Sequence, residues 1–163
     1  MIRTTVLKVA TMLSLSAVVL SSCGKTEDTG PAATSGKATR DEIAILGRDF
    51  SRAFANQDLD AVTAFYADDA RILSPGVPLV EGKAAIVRFF EEFFAAGART
   101  IEFETLDVLE GGDVVVEVGR SQLGLEPPGA APARVPGKYV VVYNRQPDGS
   151  LKLVVDASSD DVP

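Results

Sequence analysis

Hydrophobic positions fall first into helical spacing and later into alternation. Ile43, Leu46, Phe50 and Phe54 recur at intervals of three and four, with Arg48, Asp49 and Arg52 between them. That spacing predicts an amphipathic helix over about 40–56. Thr39 and Glu42 have capping-box spacing, which places the N-cap at Thr39. Gln57-Asp58 breaks the pattern, and Asp58 can cap a short second helix carrying Leu59, Val62, Phe65 and Tyr66, ended by Asp68-Asp69. A short strand over 70–73 and a loop through Ser74-Pro75-Gly76-Val77-Pro78 follow. Gly82 opens a third helix and Gly97 stops it, with Ile86, Phe89, Phe90, Phe93 and Phe94 on one wide apolar face.

From Thr100 onward the period changes to two. Strands are predicted over 100–109 (with a slip before Leu106 and Val108), 114–125, 137–145 and 151–157. Turns at Glu110-Gly111-Gly112-Asp113 and Pro147-Asp148-Gly149 and a proline-rich loop over 126–136 separate them. Helices first and a mostly antiparallel sheet afterwards make an α+β layer pattern, with helices on one face of the sheet.

The first residues follow a different logic. Arg3 and Lys8 precede an apolar run over 9–20, the order of a secretory signal, and the run is shorter than the about 20 residues a spanning helix needs. Leu20-Ser21-Ser22-Cys23 resembles the lipobox of bacterial lipoproteins, and Cys23 is the only cysteine among 163 residues. The expectation is a signal peptide over 1–22, lipid on Cys23, a flexible tether over 23–40 and one pocket domain over 41–163. Gly24–Thr39 has no large apolar residue with which to offset its ordering entropy. Lipid on Cys23 would hold the chain to a membrane of the cell envelope, facing the periplasm or exterior. In a Gram-negative source this would be the outer membrane.

The whole chain carries −7, and residues 1–22 contribute two bases and no acid, so the remainder is more acidic still. Such a surface disfavours nucleic acid and anionic headgroups. The chain has no histidine, which excludes Ser-His and Cys-His nucleophile systems and His-dependent metal sites. Asp58, Asp60, Asp68 and Asp69 form the densest acidic group. They read as helix caps and a turn, since no glycine-punctuated calcium loop surrounds them. No metal and no cofactor are expected.

Several segments together resemble the nuclear-transport-factor-2-like superfamily, in its SnoaL-like, DUF4440-type branch. They are Asp58-Leu59-Asp60-Ala61-Val62, Phe65 through Ala70 (FYADDA), Glu81 through Ile86 (EGKAAI), Glu117-Val118-Gly119, Gly137 through Val142 (GKYVVV) and Asp148 through Leu153 (DGSLKL). The resemblance covers about 41–158, and Leu151 departs from the tryptophan frequent there. It implies a cone-shaped fold in which a curved sheet wraps three helices around a deep pocket, and a homodimer formed through the outer sheet face. The best-understood enzyme of that scaffold, ketosteroid isomerase, works with an Asp base and with Tyr and protonated Asp donors. The resemblance puts Ser74 at its base and Phe50 at its tyrosine. Ser74 is a poor proton acceptor and Phe50 cannot donate, which argues against that reaction.

The polar candidates left are Tyr66, Glu117, Lys138, Tyr139, Tyr143 and Asp156. Glu117 and Lys138 read first as outward charges paired across strands. Asp156 stands level between outward and inward, because one β-bulge reverses the parity of a strand. The expected pocket lining is Phe54, Tyr66, Phe90, Tyr139, Val141 and Asp156, and Asp156, Glu117 and Tyr66 are the candidates for catalysis. Three functions follow. The first is a pocket that binds a small apolar or amphipathic molecule without catalysis. The second is an isomerase, dehydratase or hydrolase working through a carboxylate. The third is a dimerisation or partner module. An open cavity holding Asp156 and a tyrosine hydroxyl would favour the second, and a closed apolar interior would remove the first two.

Overall fold

The computed structural model describes residues 36–161, with side chains from Thr39 onward. The predicted signal peptide, Cys23 and the tether as far as residue 35 lie outside the described residues. The first helix, α1, spans Gly36–Ala55 and so begins inside the predicted tether. Thr39 therefore lies within the helix, 4% exposed, and not at its N-cap. Glu42 does not reach back to close a capping box. Its carboxylate takes a two-pronged bond from Arg145, Nη1 to Oε1 at 3.1 Å and Nη2 to Oε2 at 3.0 Å, a fork-to-fork geometry stronger than a neutral cap.

Helix α2, Leu59–Ala64, starts as expected, with the Asp58 side chain accepting from the Ala61 N–H at 3.0 Å. It ends sooner than its apolar pattern predicts. Strand β1 takes over at Tyr66 and runs to Leu73, so Asp68 and Asp69 are exposed strand residues and not a helix stop. Tertiary pairing overrides local pattern here, because Tyr66 sits opposite Leu153 on the last strand. A two-residue strand, β2 (Val80–Glu81), returns beside β1, and the Arg71–Glu81 ion pair crosses between them. Helix α3, Lys83–Ala95, buries Ile86 and Phe90. It stops at Gly97, whose φ of +105° and close approach to the Glu126 backbone admit no side chain.

The remaining strands are β3 (Ala98–Gly111), β4 (Val114–Leu125), β5 (Ala133–Arg145) and β6 (Leu151–Asp160). With β1 and β2 they form one sheet in the order β2-β1-β6-β5-β4-β3, antiparallel except for β1 against β6. Strand β5 starts inside the predicted proline-rich loop. Pro136 is tolerated there because its carbonyl, and hence its missing N–H, faces the end of β6, where Asp161 N donates to it at 2.9 Å.

Alternation decides which residues face the helices. On β4, Val115, Glu117 and Gly119 are buried, and on β5, Tyr139, Val141 and Tyr143 are buried. The register breaks between Val142 and Tyr143, which pair with Val155 and Leu153, so Val154 is an extra residue in β6. Leu151 and Leu153 point inward before this bulge, and Asp156 and Ser158 point inward after it. A second irregularity in β3, between Thr105 and Asp107, leaves Leu106 45% exposed and turns Val108 toward the core. On the outer face, Leu109, Val116, Val142 and Val155 form one cross-sheet row, and Val118, Val140, Ala157 and Leu73 continue another. Leu109, Leu73 and Val140 are 55%, 45% and 41% exposed.

Candidate functional site

The concave face of the sheet and the helices enclose a cavity of about 370 Å³. Strand register divides its floor into rows of increasing depth. Nearest the opening are Ser121, Gly137 and Asp160, and next come Gly119, Tyr139 and Ser158. Deeper lies the row Glu117, Val141, Asp156 and Ile72, and deepest the row Val115, Tyr143, Leu153 and Tyr66. Exposure follows that order. Asp160 is exposed, Ser121 and Gly137 are half-buried, and Tyr139, Val141 and Tyr143 are each 7% exposed.

The helical wall is aromatic. Phe50 is its hub, with ring centroids 6.2 Å from Phe54, 5.4 Å from Phe65, 6.3 Å from Phe90 and 5.8 Å from Phe103. Phe89 and Phe93 stack at 5.5 Å and extend the wall. Stacked and edge-to-face pairs of this kind add to the stabilisation from area burial.

Two carboxyl groups interrupt this apolar lining. Glu117 is 5% exposed and is surrounded by hydroxyls. Its Oε1 accepts from Thr105 Oγ1 at 2.6 Å and from Tyr139 OH at 2.7 Å, and its Oε2 accepts from Tyr143 OH at 2.9 Å. The expectation that Glu117 points outward is therefore wrong. The parity of β4 turns it into the core, and three donors from β3 and β5 compensate its burial. Burial and the Glu117 charge push both tyrosine hydroxyls well above their ordinary range, so they remain protonated donors. Gly119 makes this arrangement fit. A Cβ there would collide with the Tyr139 ring end and hydroxyl, which lie over the glycine.

Asp156 has a single partner, with Tyr66 OH donating to Oδ2 at 2.6 Å. Asp156 is half-buried by surface area and lines the cavity, and the surrounding protein withdraws it from bulk water. Desolvation holds its pKa above the ordinary carboxylate value, against the smaller lowering effect of the Tyr66 hydrogen bond. Tyr66 itself is pushed up by burial and by the Asp156 charge.

All six residues expected to line a pocket lie on this cavity: Phe54, Tyr66, Phe90, Tyr139, Val141 and Asp156. The candidates for catalysis divide into two clusters, Asp156 with Tyr66, and Glu117 with Tyr139. Lys138 points out of the sheet and meets Asp161 at 3.4 Å. Ser74 and Phe50 also border the cavity. Ser74 Oγ lies 3.5 Å from Ser158 Oγ, and Phe50 is 6.4 Å by ring centroid from Tyr66. Sequence reasoning missed Thr105 and Gly119, and it did not place Tyr143 in the pocket. The period-two spacing of Tyr139, Val141 and Tyr143 carried the signal for Tyr143. A glycine inside an otherwise strong strand carried it for Gly119. Among the described residues no group of three or more acids or cysteines is placed to hold a metal.

A mixed sheet curved over three helices, with an aromatic cavity between them, defines a nuclear-transport-factor-2-like cone fold. The family model described as SnoaL-like domain matches residues 48–154, and the chain belongs to that family. Among solved structures it is similar to a ketosteroid isomerase-like protein from Erwinia carotovora atroseptica. The TM-score is 0.69 at 18% identity, covering 78% of this chain and 100% of that one. It is also similar to a putative dehydratase of the NTF2-like family from Streptomyces avermitilis, with TM-score 0.65, 17% identity and coverage of 79% and 100%. An NTF2-like protein with a cystatin-like fold from Novosphingobium aromaticivorans gives 0.63 at 18%, covering 75% and 81%. No curated protein matches the chain. These likenesses carry the fold and not an activity.

The Glu117 cluster yields a direct expectation. Tyr143→Phe removes one of three donors to a buried acid and should lower the unfolding free energy by roughly 1.5–3 kcal/mol, read by urea denaturation. A loss below about 0.5 kcal/mol would mean that the hydroxyl does not hold Glu117.

Proposed function

We propose that the domain binds one small, largely apolar molecule bearing a single polar end, without converting it. The observation that carries this reading is a ring-walled cavity of about 370 Å³, the size of a small-ligand site, with an acid at its floor. The second reading, proton transfer by a carboxylate, draws support from Asp156, which is enclosed, raised in pKa and open to the cavity beside a tyrosine hydroxyl. Against it stands the use of the donors. Tyr66 donates its hydroxyl hydrogen bond to Asp156, and Tyr139 and Tyr143 donate theirs to Glu117. No tyrosine is left to meet an oxyanion developing on a substrate, which enolate chemistry requires.

The binding reading is tested by thermal shift with a panel of small lipophilic molecules. The purified chain should carry Cys23→Ser, so that no acyl chain competes for the cavity. Several members of the panel should raise the melting temperature, and Val141→Trp, which fills the cavity floor, should remove the response. A panel without any shift would sink the binding reading. Turnover of a bound member that disappears in Asp156→Asn would replace it with the catalytic one.

The lipid anchor on Cys23 and the paired outer sheet faces belong to the same proposal. The two apolar rows on the outer face, partly exposed along their length and most exposed at Leu73, Leu109 and Val140, support a second copy docked there. Expressed with its first 22 residues in a bacterial host, the chain should fractionate with membranes, and Cys23→Ser should release it as a species of twice the chain mass. Release without the substitution would remove the anchor, and a released monomer would remove the pairing.

A further inference from the structure

The chemistry left facing the cavity is one-sided. Both deep acids draw hydroxyl protons toward themselves, so Tyr66, Tyr139 and Tyr143 turn lone pairs, not protons, to the remaining space. Asp156 Oδ1 has no protein partner among the described residues, and the carboxyl edge faces the cavity. Among the described residues that line the cavity, none is Lys or Arg. The sheet's bases point elsewhere. Lys138 and Arg120 pair with Asp161 on the outer face, Arg145 with Glu42, and Arg71 with Glu81. The remaining side-chain hydroxyls on the lining, Ser74, Ser121, Ser158 and Ser159, lie at the level of the shallower rows.

A ligand with an anionic end, or one whose polar end is only an acceptor, would find no deep donor and would meet two acids. An ammonium finds the opposite. Asp156 supplies an open acceptor and a countercharge, and the rings of Phe50, Phe65 and Phe90 line the same cavity, a surrounding that suits a cation because an aromatic face attracts one. A bound cation would favour the ionised carboxylate and so offset the desolvation that raises the Asp156 carboxyl. Glu117 lies one strand beyond Val141 in the same row, on the order of 10 Å from Asp156 between backbones, and adds to the negative potential of the floor.

We propose that the ligand of this cavity is a lipophilic amine in its protonated form, its ammonium donating to Asp156 and its apolar or aromatic body lying against the phenylalanine wall. The inference rests on the binding reading above and adds the charge of the ligand.

Isothermal titration of the Cys23→Ser chain at pH 7 with three isosteres tests it: 4-phenylbutylamine, 4-phenylbutanol and 4-phenylbutyrate. The amine should bind at least about tenfold more tightly than the alcohol, and the carboxylate most weakly, since tenfold is a modest return for one enclosed ion pair. Asp156→Asn should remove the amine's advantage over the alcohol, and a cooperative thermal unfolding transition shows that the variant is folded. Alcohol or carboxylate binding as tightly as the amine would overturn the charge assignment while leaving the binding reading intact. So would an amine preference that survives Asp156→Asn. Absence of binding by all three, together with a silent lipophilic panel, would remove both.

Discussion

A carboxyl group under an apolar roof must find donors or give up its charge, and two such groups organise the interior of this domain. Glu117 satisfies the requirement within the protein. Its three hydroxyl donors come from β3 and β5, so one acid ties three adjacent strands together on their concave side. Removing Glu117 would strand those hydroxyls, and removing them would strand Glu117, which is how a buried network fixes a unique core. Asp156 satisfies the requirement only in part. One tyrosine reaches it, and the rest of its carboxyl looks into the cavity. One acid therefore belongs to the architecture and the other is left for a ligand.

The backbone makes this division possible. Without the extra residue at Val154, Asp156 would face outward, on the opposite parity to the one it adopts. Without a bare α-carbon at Gly119, the Tyr139 ring could not lie flat enough across β4 to deliver its hydroxyl to Glu117. Helices α1 and α3 close the other side with rings instead of polar groups, which lowers the local dielectric and strengthens every interaction the two acids make. The cavity is thus a consequence of strand irregularities as much as of hydrophobic pattern.

The fold was legible in the sequence because its signals are additive. Helical spacing through Phe54, the Asp58 cap, the Gly82 and Gly97 limits and the later alternation each point to the same layers. What escaped notice depended on pairing partners that a linear reading does not reveal. Asp68-Asp69 looks like a helix stop until β6 is seen to recruit Tyr66 and its neighbours into a strand. Glu42 looks like a cap until Arg145 arrives from a hundred residues away. Glu117 looks like an outward charge because a glutamate among valines gives no hint of three hydroxyls beneath it. The parity of Asp156 turns on a single bulge, which has no signature in the residues of β6 and emerges only from their pairing with β5.

Asp156 is thus an enclosed, incompletely satisfied acid on the floor of an open pocket, steadied by Tyr66, and the proposed function depends on it. Titrating its side-chain carboxyl by ¹³C NMR tests this most directly. Desolvation favours the neutral form, so in the folded chain Asp156 should hold its proton above the ordinary value of 3.8. The acid then contributes stability that is fully present below that value and is lost as pH rises through its folded-state pKa. The Tyr66 hydrogen bond favours the ionised form, so Tyr66→Phe should move the midpoint higher still. A midpoint at or below 3.8, or one indifferent to Tyr66→Phe, would contradict the account.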